Sequence, residues 1–109
     1  MDFQGILEYT LAMTELDKIK KILRQNKRQL SHDFKIKQLG LFGSYVRGKQ
    51  KKNSDVDILV EFSQTPGLFD FMKVENNLSA LLKKRVDLVM KGALKPAIGK
   101  HIMSEVVYI

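Results

Sequence analysis

Apolar residues along this chain change their spacing several times, and each change marks an element. Leu16, Ile19, Leu23 and Leu30 recur at helical steps behind Thr14-Glu15-Leu16-Asp17, which predicts a helix capped by Thr14 with one apolar stripe. The run Lys35-Ile36-Lys37-Gln38-Leu39-Gly40-Leu41-Phe42 alternates and then turns apolar, predicting a strand from near Phe34 to Phe42. A short helical turn is predicted over Ser44 to Arg47, released by Gly48 into the loop Lys49-Gln50-Lys51-Lys52-Asn53. The β-branched run from Asp55 to Phe62, between Asn53-Ser54 and Ser63-Gln64-Thr65-Pro66-Gly67, reads as a second strand. Thr65 as cap and Pro66 at the first helical position then open a helix carrying Leu68, Phe71, Val74, Leu78 and Leu81, up to Lys83-Lys84. Arg85-Val86-Asp87-Leu88-Val89 is a third strand, Lys95-Pro96 begins a helix to about Glu105, and Val106-Val107-Tyr108-Ile109 is a short strand or docked tail.

These elements constrain one another. The Phe42 strand and the Asp55 strand meet across a short loop, so they run antiparallel. For Asp87 to reach the same end of the sheet, its strand must run parallel to the Asp55 strand, which requires a crossover of a dozen or more residues. The helix between Pro66 and Lys84 supplies it. The expectation is an α/β (α+β) fold, a small mixed sheet flanked by helices, with the acids gathered at one edge.

That arrangement has chemical content. Side chains at i and i+2 share one face of a strand, so Val56, Ile58, Val60 and Phe62 pack on the core while Asp55 and Asp57 project together from the other face. Two carboxylates about 7 Å apart, at an effective dielectric of roughly 20, repel by about 2 kcal/mol. A bound cation reverses that sign, and Mg²⁺ suits such a pair because it takes one or two carboxylates and completes its shell with water and phosphate oxygens. The alternative is a strand that merely starts in solvent. Gly43 admits close approach of a phosphate, and Ser44 adds a hydroxyl and an N–H at the start of a turn that attracts anions. An ordinary strand-ending turn has the same sequence. Arg47 fits either a charge-assisted contact to a polyphosphate or a surface cation, and Asp87 either a third carboxylate or a strand residue facing solvent.

Composition removes several classes. The 109 residues form one domain and bury about two-thirds of the unfolded surface, enough for one core and not for a second substrate domain. With no cysteine, there is no disulfide, thiolate catalysis or Cys-ligated metal, and His32 and His101 stand far apart as helix-end or surface residues. The first basic residue is Lys18, so no signal-peptide n-region is expected, and no apolar run has transmembrane length. No membrane association is expected, and a cytoplasmic location is. Of the net +7, residues 13–52 carry +9 and residues 53–109 carry none, while the first twelve residues contribute −2. Lys20, Lys21, Arg24, Lys27 and Arg28 recur on one helical face, either a solvated face or a meeting surface for an acidic protein or RNA, and Lys49, Lys51 and Lys52 form either a soluble loop or one that draws in a polyanionic ligand. Tyr9, Tyr45 and Tyr108 show no stacking pattern, and Tyr45 either borders a nucleotide or packs.

Gly43-Ser44-Tyr45-Val46-Arg47-Gly48 and, after ten residues from Ser44, Ser54-Asp55-Val56-Asp57-Ile58-Leu59-Val60 resemble the minimal, MNT-type nucleotidyltransferases of the DNA polymerase β superfamily, and Arg85-Val86-Asp87-Leu88-Val89 extends the likeness to the third carboxylate. The resemblance implies that Asp55, Asp57 and Asp87 hold two Mg²⁺ ions, that Asp87 helps remove the proton from the attacking hydroxyl, and that Gly43 and Ser44, with Arg47 beside them, bind the phosphates of ATP. Members of this size resemble antitoxins of HEPN-type ribonuclease toxins, which implies transfer of AMP from ATP to a toxin tyrosine, with the chain alone as a homo-oligomer or with its partner in a hetero-oligomer. Two other readings stand beside it: a binding-only antitoxin with contacts such as Phe69, and nucleotidyl transfer to RNA or a small molecule.

Overall fold

The computed structural model describes residues 13–109, so Tyr9 and the acidic first twelve residues lie outside it. Helix α1 (Glu15–Phe34) opens with a reciprocal cap: the Asp17 N–H donates to the Thr14 hydroxyl at 3.0 Å, and Asp17 accepts from the Thr14 N–H. The helix runs on through Phe34, and Lys35 at φ 55° turns the chain, so strand β1 spans Ile36–Phe42 and not the residues from Phe34. The reason is local: Phe34 packs beside the core from the helix, and a left-handed residue is a common way to end one.

The short helix α2 (Ser44–Arg47) follows as expected, and strand β2 (Val56–Phe62) starts one residue later than expected, leaving Asp55 just ahead of it. Helix α3 (Leu68–Leu82) starts later than Thr65-Pro66 suggest, with Gly67 as its cap. Its buried residues are Val74, Leu78 and Leu82, whereas Leu68, in the first turn, is 70% exposed. Strand β3 (Val86–Met90), a 3₁₀ turn (Lys91–Ala93), helix α4 (Pro96–Glu105) and strand β4 (Val107–Tyr108) complete the described chain.

The sheet order is β3-β2-β1-β4. Strand β1 is antiparallel to β2, ending on Phe42 opposite Asp57, and β2 is parallel to β3 with Asp57 beside Asp87. The mixed sheet and its helical crossover match the topological expectation. The acids, however, gather at the end where β2 and β3 start, and β2, which carries Asp57, is an interior strand.

Ile19, Leu23, Leu30, Leu39, Leu41, Val56, Ile58, Val60, Val74 and Leu78 form the core between the sheet and helices α1 and α3. Each such side chain contributes about 1.5–3 kcal/mol when fully buried. Phe62, at the end of β2, meets Phe71 of α3 edge to face at 6.4 Å. The outer strand β3 is also tied to α3, because the Val86 N–H donates to Ser79 Oγ at 3.1 Å and the Leu88 N–H to Glu75 Oε2 at 2.9 Å. Those bonds occupy edge donors that would otherwise invite another strand.

Candidate active site

The site begins where β1 stops. Gly43 takes φ 80° and ψ −154°, a backbone region nearly confined to glycine, and a Cβ there would overlap the Asp57 carboxylate, with Asp57 Cγ at 2.9 Å. Its carbonyl accepts from the N–H groups of Val46 and Arg47, both at 3.1 Å, which winds α2 immediately after it. Gly48 at φ 69° then ends the turn. The first N–H groups of any helix lack an intrahelical partner, so those of Ser44 and Tyr45 open α2 beside the acids.

Backbone register assembles the carboxylates. Asp57 lies across from Phe42 on one side and next to Asp87 on the other, and Asp55 immediately precedes β2, near enough for its charge to act on Asp57. Asp57 is half-buried, Asp55 also, and Asp87 is exposed. Burial, then the charges of Asp87 and Asp55, push the Asp57 carboxyl up to about 6; Arg47 opposes the rise and Glu105 adds to it. The repulsion expected from the Asp-x-Asp spacing is therefore present, and Asp87 contributes more of it than Asp55. One counter-charge stands near Asp55, the Arg85 guanidinium at 3.9 Å, largely exposed and therefore weak.

The other half of the site is closed by a residue that sequence reasoning did not find. Glu105, at the end of α4, accepts from the Gly43 N–H at 3.0 Å, and Arg47 Nη1 donates to both of its oxygens at 3.0 Å. Burial disfavours the Glu105 anion, but the Gly43 N–H and Arg47 outweigh it and hold the carboxyl below its ordinary range. Arg47 is thus neither an isolated surface cation nor free of a partner. No motif marks Glu105; the nearest signal in the sequence was the short strand or docked tail expected just after it, whose pairing with β1 only the structure shows.

Tyr45 is buried, its hydroxyl 3.5 Å from the Ser54 carbonyl and Lys84 Nζ 5.9 Å from its ring centre, so it packs. Together with Lys52, Asp55, Lys84 and Arg85 it lines a cleft of about 440 Å³ that opens beside the first acid. A larger cavity of about 530 Å³ lies at the opposite end of β1 and β2, around Lys35 and Gln64, and contains none of the carboxylates just described. Chemistry, not size, identifies the site. His32 and His101 are both exposed, His101 one helical turn before Glu105, and Lys49, Lys51 and Lys52 are exposed in the loop.

The donors fit a hard divalent cation: three carboxylates, no sulfur or imidazole, and mutual repulsion that a cation relieves. Among the described residues no group of three or more His, Cys, Asp or Glu side chains is placed to hold a metal ion between them, as an all-protein cage would. Mg²⁺ rarely uses one, since substrate phosphates and water complete its shell. Among the described residues no helix is long and apolar enough to cross a membrane.

Comparison with known proteins identifies the family. A family model described as a nucleotidyltransferase domain matches residues 16–109. The protein adenylyltransferase MntA of Thermococcus cleftensis is 50% identical over 91% of this chain and 100% of its own length. A solved minimal nucleotidyltransferase superposes with a TM-score of 0.72 at 27% identity, over 88% of this chain and 97% of that one. A toxin–antitoxin complex solved with AMP-PNP contains a chain that superposes with a TM-score of 0.64 at 28% identity, covering 87% and 72%.

Proposed function

Because this chain belongs to the nucleotidyltransferase domain family, we propose that it is a protein adenylyltransferase that moves AMP from ATP onto a tyrosine of a HEPN-type toxin and so acts as the toxin's antitoxin. The observation that carries the reading is Asp57, crowded by Asp87 and Asp55 beneath the Gly43 turn. A negative cluster only weakly compensated by Arg85 and Arg47, next to a helix start, is poorly suited to stability and well suited to a cation–triphosphate pair. The similar proteins support the donor and the setting: one is an adenylyltransferase, another a toxin–antitoxin complex solved with AMP-PNP.

In this reading Ser44, with the opening N–H groups of α2, holds the β and γ phosphates, and Arg47 adds charge beside them. Gly43 serves by its conformation, since its N–H is already given to Glu105. Asp55, Asp57 and Asp87 would hold Mg²⁺, which when bound would neutralise the triphosphate and acidify the acceptor hydroxyl. The tyrosine oxygen attacks the α-phosphorus, the bond to the bridging oxygen of the β-phosphate breaks, and pyrophosphate leaves. Asp87, the most exposed of the three acids, takes the phenolic proton. ATP as donor supports a cytoplasmic setting.

Exposed apolar residues favour one second reading. Leu68 and Phe69 in the first turn of α3 are 70% and 78% exposed, as an antitoxin that neutralises by contact alone would use. The Asp55→Asn, Asp57→Asn double variant separates the two. With α-³²P ATP, Mg²⁺ and the toxin, wild type is expected to label the toxin and the variant to lose label at least about a thousandfold, as when the metal site of a phosphoryl transferase is removed. A variant that still neutralises the toxin without labelling it would establish sequestration.

A further inference from the structure

Glu105 lies outside every motif of the chain, yet two groups of the phosphate side of the site converge on it. Its place is set by the sheet. Strand β4 runs antiparallel to β1 with Gly40 opposite Tyr108 and Leu41 opposite Val107, and Glu105, the last residue of α4 two positions before Val107, is thereby held beside Gly43, whose N–H it accepts. The tail on either side is fastened: the Val106 N–H donates to the Ile102 carbonyl at 2.9 Å, and the Ile109 N–H to the Leu39 carbonyl at 3.0 Å. Gly40 lets the tail lie this close, because a Cβ there would stand 2.5 Å from Val106 Cγ2.

We propose that Glu105 is a positioning residue for nucleotidyl transfer, clamping the Gly43–Arg47 turn in the geometry that receives the triphosphate. The proposal rests on the adenylyltransferase reading above. Two effects compete at this carboxylate. As an anion beside a phosphate site it repels, and as an acceptor it fixes the turn. The geometry decides for the second, because Arg47 Nη1 lies 3.0 Å from both oxygens and largely cancels the charge, while the β4 register keeps the group from swinging away. A guanidinium has five N–H donors in a rigid fork, so holding one nitrogen aims the others. Arg47 remains 45% exposed and Glu105 only 15%, the pattern of a buried anchor under an accessible contact.

The test is calorimetric titration of AMP-PNP with Mg²⁺, alongside ATP-dependent labelling of the toxin. Glu105→Ala is expected to weaken AMP-PNP binding by about tenfold, the size of one charge-assisted hydrogen bond, and to raise KM for ATP by a similar factor. The kcat is expected to change less than about threefold, as when binding shared by ground and transition states is lost. Arg47→Ala should give the same pattern, with the double variant no worse than the more severe single one, because both act through one contact. Glu105→Gln, which keeps an acceptor for the Gly43 N–H without charge, should fall between wild type and Glu105→Ala, and decides the matter if the alanine variant does not fold. Binding of AMP-PNP as tight as wild type or tighter in the glutamine variant overturns the proposal. A wild type that binds AMP-PNP and labels no toxin removes the transfer reading while the binding series still decides on Glu105; one that binds no AMP-PNP overturns both.

Discussion

The two sides of the site settle their charge in opposite ways. On the glycine side, Arg47, Glu105 and the Gly43 N–H satisfy one another within 3.0 Å. On the acid side, Asp57 stands between Asp87 and Asp55 with its carboxyl raised to about 6. The difference assigns the sides distinct tasks. The satisfied half is rigid before any ligand arrives, which limits the ordering cost of binding. The unsatisfied half has the stronger appetite for a cation, because binding removes a standing repulsion.

The contrast is most directly broken at the point where the halves touch. Gly43→Ala puts a Cβ into the Asp57 carboxylate and asks alanine to hold φ 80°. The expected cost is about 1–3 kcal/mol of stability from the backbone alone, with toxin labelling reduced by about a hundredfold or more through displacement of Asp57. Thermal melting and label transfer measure the two; a variant that melts and labels like wild type would show that the halves are not in contact in solution.

A pH series sharpens the comparison. The Asp57 carboxyl titrates at about 6 in the folded chain against an ordinary 3.8. Because the folded value is the higher, its stabilising contribution is fully present below the ordinary value and is lost as pH rises through about 6, so the metal-free protein should soften over that interval. Activity runs the other way. Transfer requires ionised Asp57, so the labelling rate at low Mg²⁺ should fall about tenfold per unit below pH 6 and the limb should move to lower pH as Mg²⁺ is raised, since cation and proton compete. A limb that ignores Mg²⁺ would detach Asp57 from the cation.

The smallest expected effect is on stability. Asp57→Asn removes the central charge of the crowded side, so at pH 8 without metal its melting temperature should rise by a few degrees, the scale of about 1 kcal/mol in a domain of this size. Added Mg²⁺ should then stabilise wild type and not the variant. A lower melting temperature in the variant, measured by calorimetry, would mean that Asp57 is held by favourable bonds.

Much of this was readable from local pattern. Period-two and period-3.6 spacing placed the strands and helices to within a few residues, and the parallel placement of Asp87 beside Asp57 followed from connection lengths. The misplacements share a cause. Phe34 joined α1, helix α3 waited for Gly67, and Leu68 turned outward because tertiary packing selects among starts that local preference leaves nearly equal. Tyr45 was ambiguous for the same reason, since a tyrosine beside Ser44 has no local signal of which way it points.

The sequence by itself determined the acids at the start of β2 and the glycine before them, because the apolar alternation that buries Val56, Ile58 and Val60 turns Asp57 to the other face, and a short connection brings its strand back against Phe42. Only the tertiary structure decided how their charges are met. Asp57 acquires its raised carboxyl from burial and from Asp87 thirty residues on, and Arg47 acquires Glu105 from a tail that returns along β1. Electrostatic energy depends on distance and solvent exposure, and neither is a property of a residue's place in the chain.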